Sequence, residues 1–346
     1  MSPESFIRAM PKVELHVHLE GSIRPETLLT LARRNGVSLP ADTVEGIQAW
    51  YDFVDFPHFI EVYVAVSRCI RTPDDIEWIA REFLAGQAAQ NIRYSEVTYT
   101  AYAHYQNKGI AFADQLAAIN RARDWAEAEL GVSMGLVIDI ARNVTPDEGL
   151  LTADWAIGGM GDGVVALGLG GPEVGNPPEK FKAAFDQARA AGLPSVPHAG
   201  ETVGPESIWG ALRALGADRI GHGVRCLEDP ALVAELRSRQ IPLEVCPTSN
   251  VCLKVVPDLA QHPLPRLLDA GLYVTVNSDD PPMFNTTLTN EYLAVADAFG
   301  FGVEVVEELV LNAVRASLLP AEARTGMVER FRAEFSRLWA GHLPSG

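Results

Sequence analysis

Eight short apolar runs recur along this chain, at 13–19, 94–99, 134–140, 164–169, 195–198, 220–222, 242–246 and 273–276. Most are separated by segments with the apolar spacing of helices, such as Phe181, Phe185 and Ala188, or Ile208, Leu212 and Leu215 ahead of Gly216. Strands so short and so apolar must be covered on both faces, which is the position of a parallel sheet whose crossovers are helices. Eight such units close into a barrel more readily than they spread as an open doubly wound sheet, and no Gly-x-Gly-x-x-Gly follows the first run to signal a dinucleotide fold. The expectation is an α/β fold, a single-domain (β/α)8 barrel of the TIM type over about residues 12–300, with additional helices over about 303–342 packed outside. Within the first unit, Pro25 opens a helix carrying Leu28, Leu29, Leu31 and Ala32 on one face, and Gly36 ends it. The aromatic segment 50–59 interrupts the alternation and reads as core packing under a long connection in preference to a lid.

Charge narrows the range of partners. Lys and Arg total 28 against 45 Asp and Glu, a formal net charge of -17 that repels phosphate backbones and anionic bilayers. A small-molecule substrate is therefore expected, with neither nucleic acid nor membrane as partner; oligomeric state is not legible. The four cysteines, Cys69, Cys226, Cys246 and Cys252, form no Cys-x-x-Cys pair and suit a reducing compartment. With no leader-like N-terminal pattern and no membrane-length apolar stretch, the expected setting is the cytoplasm.

In a parallel barrel the chemistry collects at the C-terminal ends of the strands, so what each run carries there is the test. The first ends in His16-Val17-His18, whose two imidazoles share one face of an extended strand because side chains alternate with period two. The fourth run ends in Gly170-Gly171-Pro172-Glu173, the fifth in His198-Ala199-Gly200-Glu201, the sixth in Gly221-His222-Gly223 and the eighth in Asn277-Ser278-Asp279-Asp280. Imidazole nitrogens and a carboxylate oxygen are the donors zinc takes, and His16, His18, His198 and Asp279 are the expected ligands of one ion with an open position for water. Such an ion lowers the pKa of bound water toward neutrality. Glu201 and His222 are then the candidates for proton transfer. A two-metal arrangement would want a bridging carboxylate or modified lysine, and 164–171 contains no lysine.

Taken in order, His-x-His-Leu-Glu-Gly (16–21), His-Ala-Gly-Glu (198–201), Gly-His-Gly (221–223), Cys-Pro-Thr-Ser-Asn (246–250) and Asn-Ser-Asp-Asp-Pro (277–281) resemble the motifs of the adenosine and adenine deaminase family of the amidohydrolase superfamily. The resemblance implies zinc-dependent hydrolysis of the 6-amino group of an adenosine-type purine nucleoside, giving the inosine-type product and ammonia. It implies His16, His18, His198 and Asp279 as ligands, Glu201 as the carboxyl that protonates N1, His222 as the residue that orients and assists the water, Asp280 as the acceptor from N7, and Gly171 as the backbone N–H near N3.

Glu20 stands where adenosine deaminases carry an aspartate that reaches the ribose 5′-hydroxyl, so Glu20 is the expected point of substrate choice. Glu20 and the run 173–181 resemble the adenine-specific branch, while 219–223 and 283–288 resemble the nucleoside branch. Adenine, or a 5′-enlarged nucleoside such as aminodeoxyfutalosine of menaquinone synthesis, is the alternative substrate. Rivals from other classes are a two-metal hydrolase of cyclic amides or phosphoesters and a purine-binding barrel without catalysis. His58, His104, His262 and His342 read as surface or packing histidines and Cys246 as core.

Overall fold

A computed structural model describes residues 2–340 of the chain. Its eight strands are β1 (Lys12–His18), β2 (Ile92–Tyr99), β3 (Ser133–Ala141), β4 (Val164–Gly170), β5 (Ser195–Ala199), β6 (Ile220–His222), β7 (Leu243–Val245) and β8 (Val274–Val276). They hydrogen-bond in sequence order as parallel neighbours, so the expected (β/α)8 barrel is the fold. All seven residues of β1 are buried, as a strand covered on both faces requires. No helix among the described residues is long and apolar enough to cross a membrane.

The ring closes between its last and first strands by an unusual route. Past the end of β8, Asp279 pairs with Val17 in a single parallel bridge: His18 donates its backbone N–H to Asp279 O at 2.9 Å and Asp279 donates its own to His16 O at 3.1 Å. Below this bridge the side chain of Asn277 replaces a backbone carbonyl, its Oδ1 accepting from the N–H groups of Leu15 and His16 at 2.9 and 3.2 Å. Buried backbone donors must be paired, and one amide does this for two of them at the seam. The helix Val303–Ala316 packs against β1 and β8 and covers the seam from outside with Val306, Leu309, Val310 and Val314.

Local chemistry accounts for the surrounding elements. The helix Pro25–Asn35 begins at the expected proline and stops at Gly36, whose φ of 62° ends it in the left-handed region. Thr72 and Thr145 build capping boxes with Asp75 and Glu148, each with proline at the start of its helix. The C-terminal helix runs Ala321–Ala340; the end of the helical stretch expected to 342, and His342 with it, lie outside the described residues. The aromatic segment divides: Tyr51 and Phe53 are buried in the core, while Phe56 and Phe59 open the helix Phe56–Ser67 and face a cavity at the C-terminal mouth of the barrel.

Candidate active site and metal centre

The strand ends deliver their polar residues to one point. Donor atoms of His16, His18, His198 and Asp279, all buried, lie within 4.8 Å of one another. Asp279 Oδ1 sits 3.4 Å from His16 Nε2 and 3.2 Å from His18 Nε2, and His18 Nε2 faces His198 Nε2 at 3.2 Å. The buried His16 Nε2 has no hydrogen-bond partner. An orphaned buried nitrogen, two imidazole nitrogens turned toward each other and a carboxylate between them fit a divalent cation. A second group, His16, His222, Cys246 and Asp279, meets the same distance limit. There the Cys246 thiol is pushed well above its ordinary range by burial and by the nearby carboxylates, and the thiol is a poorer ligand than the thiolate.

Two motif glycines exist to admit these side chains. A Cβ on Gly221 would stand 2.7 Å from His16 Cε1, and one on Gly21 would stand 1.6 Å from Asp280 Oδ1. His222 and Asp279 themselves hold left-handed backbones, with φ of 60° and 64°, a conformation that non-glycine residues keep only where the surroundings enforce it.

Each donor is held from behind. His16 Nδ1 lies 2.9 Å from Glu244 Oε2; since a carboxylate only accepts, Nδ1 carries a hydrogen and Nε2 is the nitrogen turned to the centre. Glu244 is in turn paired with the buried Arg219, which also meets Glu96, both at 2.5 Å. Ser249 donates to Asp279 Oδ2 at 2.7 Å, and Arg142 donates to the carbonyl of His198 at 2.6 Å. Burial alone would lower His16 and His18, but the surrounding carboxylates, Asp279 among them, raise the two to about 9 and about 10. His198, buried among three other histidines, is driven well below its ordinary value.

Glu201 and His222 face each other across the cavity floor, Oε1 to Nε2 at 3.7 Å. Burial, then Asp279 and Glu173, push the Glu201 carboxyl well above its ordinary range, which favours its protonated form. Burial brings His222 down to about 4, leaving its ring neutral. A relay of four groups sets its tautomer. The backbone N–H of Leu264 donates to His262 Nδ1 at 3.1 Å, so the hydrogen of His262 is on Nε2 and goes to Asn250 Oδ1 at 3.1 Å. The Asn250 amide then donates to His222 Nδ1 at 3.3 Å, which puts the His222 hydrogen on Nε2, toward the cavity.

The cavity has a volume of about 310 Å³ and is lined by His18, His198, Glu201, His222, Asp279, Asp280 and Gly171, together with aromatic and apolar residues from the helix Phe56–Ser67. Asp280 Oδ1 is buried without a partner. Glu20 is placed differently. Its carboxylate accepts from Thr100 N, His104 Nε2 and the Tyr63 hydroxyl at 3.1, 2.9 and 3.4 Å, and it stands behind Tyr63 without lining the cavity. His104 is a buried packing histidine stacked on Tyr99, whereas His262, read from sequence as bland, is a member of the relay.

Sequence reasoning gave no individual site role to Asp139, Glu173, Glu244 or Asn250, although Glu173 ends the fourth run and Asn250 closes the 246–250 motif read as strand-end architecture that helps seat Glu201 or His222. Asp139 lines the cavity from β3, where burial raises it to about 7. Glu173 accepts from the backbone N–H groups of Gly200, Glu201 and Thr202 at 3.0, 2.9 and 2.8 Å and from the Ser207 hydroxyl, fixing the turn that carries Glu201. A signal existed for two of them: Asp139 and Glu244 are single charges inside otherwise apolar runs, where an unpaired carboxylate is too costly to be idle.

The chain matches the family described as Adenosine deaminase over residues 11–334. It is 44% identical over 347 residues to an aminodeoxyfutalosine deaminase of Streptomyces avermitilis, covering 98% of this chain and 94% of that protein. It is 40% identical over 329 residues to an adenine deaminase of Rhodospirillum rubrum, covering 95% and 98%. Among solved structures, an amidohydrolase of Burkholderia ambifaria with bound Zn superposes with a TM-score of 0.91 at 30% identity, covering 99% of this chain and 95% of the other.

Proposed function

The chain belongs to the adenosine deaminase family and is a hydrolytic deaminase of adenine- or adenosine-type substrates, and from that premise we propose that its substrate is a 5′-extended adenine nucleoside of the aminodeoxyfutalosine kind. The observation that carries this reading is the length of the cavity wall. Phe56, Phe59, Ile60, Tyr63, Val64, Ser67 and Arg68 line the cavity at the i, i+3, i+4, i+7 spacing of one helix face. Twelve residue steps at the rise of an α-helix make that wall roughly 18 Å long. The centre lies beside the middle of this wall, the Tyr63 ring being 6.1 Å from that of His18, so a bare purine leaves both ends of the wall free for a 5′ extension. The two aminodeoxyfutalosine deaminases, at 42% and 44% identity, support the same choice over adenosine. Adenine remains the second reading, favoured by relatives of that name at up to 40% identity.

His16, His18, His198 and Asp279 would hold one zinc ion, the metal named for the Burkholderia relative; when bound, zinc supplies Lewis acidity that makes water a nucleophile at neutral pH. The chain's own groups do the rest. Glu201, protonated, gives its hydrogen to purine N1 and so withdraws electrons from C6, where attack places charge on the ring. His222, neutral with its hydrogen on Nε2, donates to the attacking oxygen and orients it. In a 9-substituted purine N7 carries no hydrogen, so Asp280 meets it as a donor and not, as the resemblance first implied, as an acceptor. Burial and the adjacent Asp279 keep Asp280 protonated for that task. The N–H of Gly171 faces N3, and Glu20 acts through Tyr63. Overall a C6–O bond forms and the C6–N bond breaks: one hydrogen of the water restores the proton that Glu201 gave to N1, the other passes from the new C6 hydroxyl to the amino group, and ammonia leaves.

Ammonia release from adenine, adenosine, deoxyadenosine and aminodeoxyfutalosine, compared side by side, tests the reading. The highest kcat/KM is expected for aminodeoxyfutalosine; a clear preference for adenine would replace it with the second reading.

A further inference from the structure

Behind Glu244 the support of His16 continues below the site. Arg219, one residue ahead of β6, engages all three of its guanidinium nitrogens there: Nε meets Glu244 Oε1 and Nη2 meets Glu96 Oε2, each at 2.5 Å, and Nη1 donates to the carbonyl of Ala316 at 3.0 Å. Glu96 in turn accepts from the Tyr94 hydroxyl at 3.1 Å and from the backbone N–H of Leu318 at 2.5 Å. Ala316 ends the helix Val303–Ala316, and Leu318 lies in the short connector to the helix Ala321–Ala340. The Leu318 side chain packs on a small cluster of Val137, Ala166 and Val196. These three stand two residues before Asp139, Gly168 and His198 on β3, β4 and β5, so they form the layer of side chains directly beneath the cavity.

Stability alone is a poor account of this arrangement. Arg219, Glu96 and Glu244 are each at most 1% exposed, and charges taken so far out of water are costly enough that apolar side chains of similar volume often serve stability as well or better. What such a group supplies is fixed geometry. Glu96 is on β2, Glu244 on β7 and Arg219 at the foot of β6, so in a close-packed interior none shifts without the others. Both oxygens of Glu244 are engaged, Oε1 by Arg219 and Oε2 by His16 Nδ1, which sets the plane of the carboxylate and hence the direction of the imidazole. Two carboxylates against one guanidinium also leave a negative charge, the sign that favours a cation at the four donors.

We propose that Arg219 is a positioning residue of the metal centre, and that through it the Ala316–Leu318 connector, the floor beneath the barrel, sets the orientation of His16 and so the affinity for zinc. The inference rests on the reading of His16 as a metal ligand, and it extends the centre from the strand ends to the C-terminal helices. Arg219 acts on the ion only through Glu244 and His16.

Zinc dissociation constants from chelator competition, with melting temperatures alongside, test this in the full chain for the parent, E244Q, R219Q, the double variant E244Q/R219Q and L318A. L116A, a core truncation on the helix Phe112–Leu130 in a different apolar cluster, is the control for lost stability. R219Q is expected to bind zinc about tenfold or more weakly, and the double variant about as weakly as E244Q alone, because both substitutions break one chain of contacts. L318A is expected to lose part of what R219Q loses, while L116A melts lower and keeps the parent's affinity. Where R219Q fails to fold, R219K takes its place in the same cycle, keeping the charge and losing the fork of N–H donors. Parent-like affinity in the Arg219 variant, losses that multiply in the double variant, or an L318A no weaker than L116A overturns the proposal and leaves the ligand reading intact. A parent that binds no zinc overturns both.

Discussion

His262 donates from Nε2 to Oδ1 of Asn250 at 3.1 Å, and because Asn250 can then only donate to His222, a backbone N–H two residues past His262 decides which nitrogen of the active-site imidazole carries hydrogen. Replacing Asn250 with Asp reverses the last link, since a carboxylate accepts from Nδ1 and strips the hydrogen from Nε2. N250D is expected to lose about 100-fold or more in kcat with zinc content preserved, as wrong-tautomer variants of catalytic histidines do. Retained turnover would show that His222 works with a bare Nε2, as a base and not as a donor.

Glu201 and the ligands separate cleanly by variant. E201Q removes the transferable proton and leaves the donors in place, so kcat is expected to fall by about 10²–10⁴-fold at about one zinc per chain. H16A removes a ligand, and metal and turnover are expected to vanish together. Metal analysis alongside single-turnover rates checks both.

The carboxylate of Glu244 orients His16 from behind, and support of this kind is worth about 10–100-fold in metal affinity. E244Q is expected to bind zinc that much more weakly in a chelator competition. An affinity equal to the parent's would mean that His16 is oriented by packing alone.

Glu173 holds the backbone of the Gly200–Thr202 turn through three N–H groups. A glutamine there faces at least one of them with its own N–H, a loss of about 1–3 kcal/mol at a buried site. E173Q is expected to lower kcat by about 10–100-fold through misplacement of Glu201, with zinc retained because His198 is fixed upstream on β5. Equal loss of zinc would place the damage at the strand instead.

Stability carries a pH signature in a carboxylate outside the set of metal donors. Glu291 is buried beneath the backbone N–H of Thr248 and the hydroxyl of Thr286, and burial raises it from 4.5 to about 7. Its folded value lies above its unfolded one, so the contribution of this proton is full below about pH 4.5 and is lost as pH rises to about 7. E291Q removes that loss. Urea unfolding is expected to find the variant more stable than the parent by about 2 kcal/mol at pH 8, with little or no gain at pH 5. A gain of equal size at both values would exclude titration of Glu291 as its source.

Much of this architecture was legible because barrel strands advertise themselves twice, by apolar runs and by the polar residues that end them. His16, His18, His198 and Asp279 each follow a buried run and each arrives at the same rim, so the convergence of the four followed from the fold class. Glu173 and Asn250 could not be placed the same way: their importance lies in hydrogen bonds to groups 27–30 and 28 residues distant, a pairing that only tertiary folding creates. Glu20 shows the converse. Its position beside the ligands invited a substrate contact, yet Thr100, His104 and Tyr63 already engage its carboxylate. The cavity wall from Phe56 to Arg68 was invisible for a third reason, since nothing in the sequence shows that the helix Phe56–Ser67 lies along the cavity.

The bridge between Val17 and Asp279 has a consequence in time as well as in space. Two of the four convergent donors emerge from the ribosome within the first 18 residues, and the carboxylate that joins them at the seam emerges only at position 279. A growing chain therefore exposes a bare His-x-His through most of its synthesis and cannot assemble the complete set of donors until its last strand has taken its place beside the first. Loading of the ion proposed at these donors therefore has to follow finished folding, and a chain cut short before Asp279 has no complete set of donors to offer it.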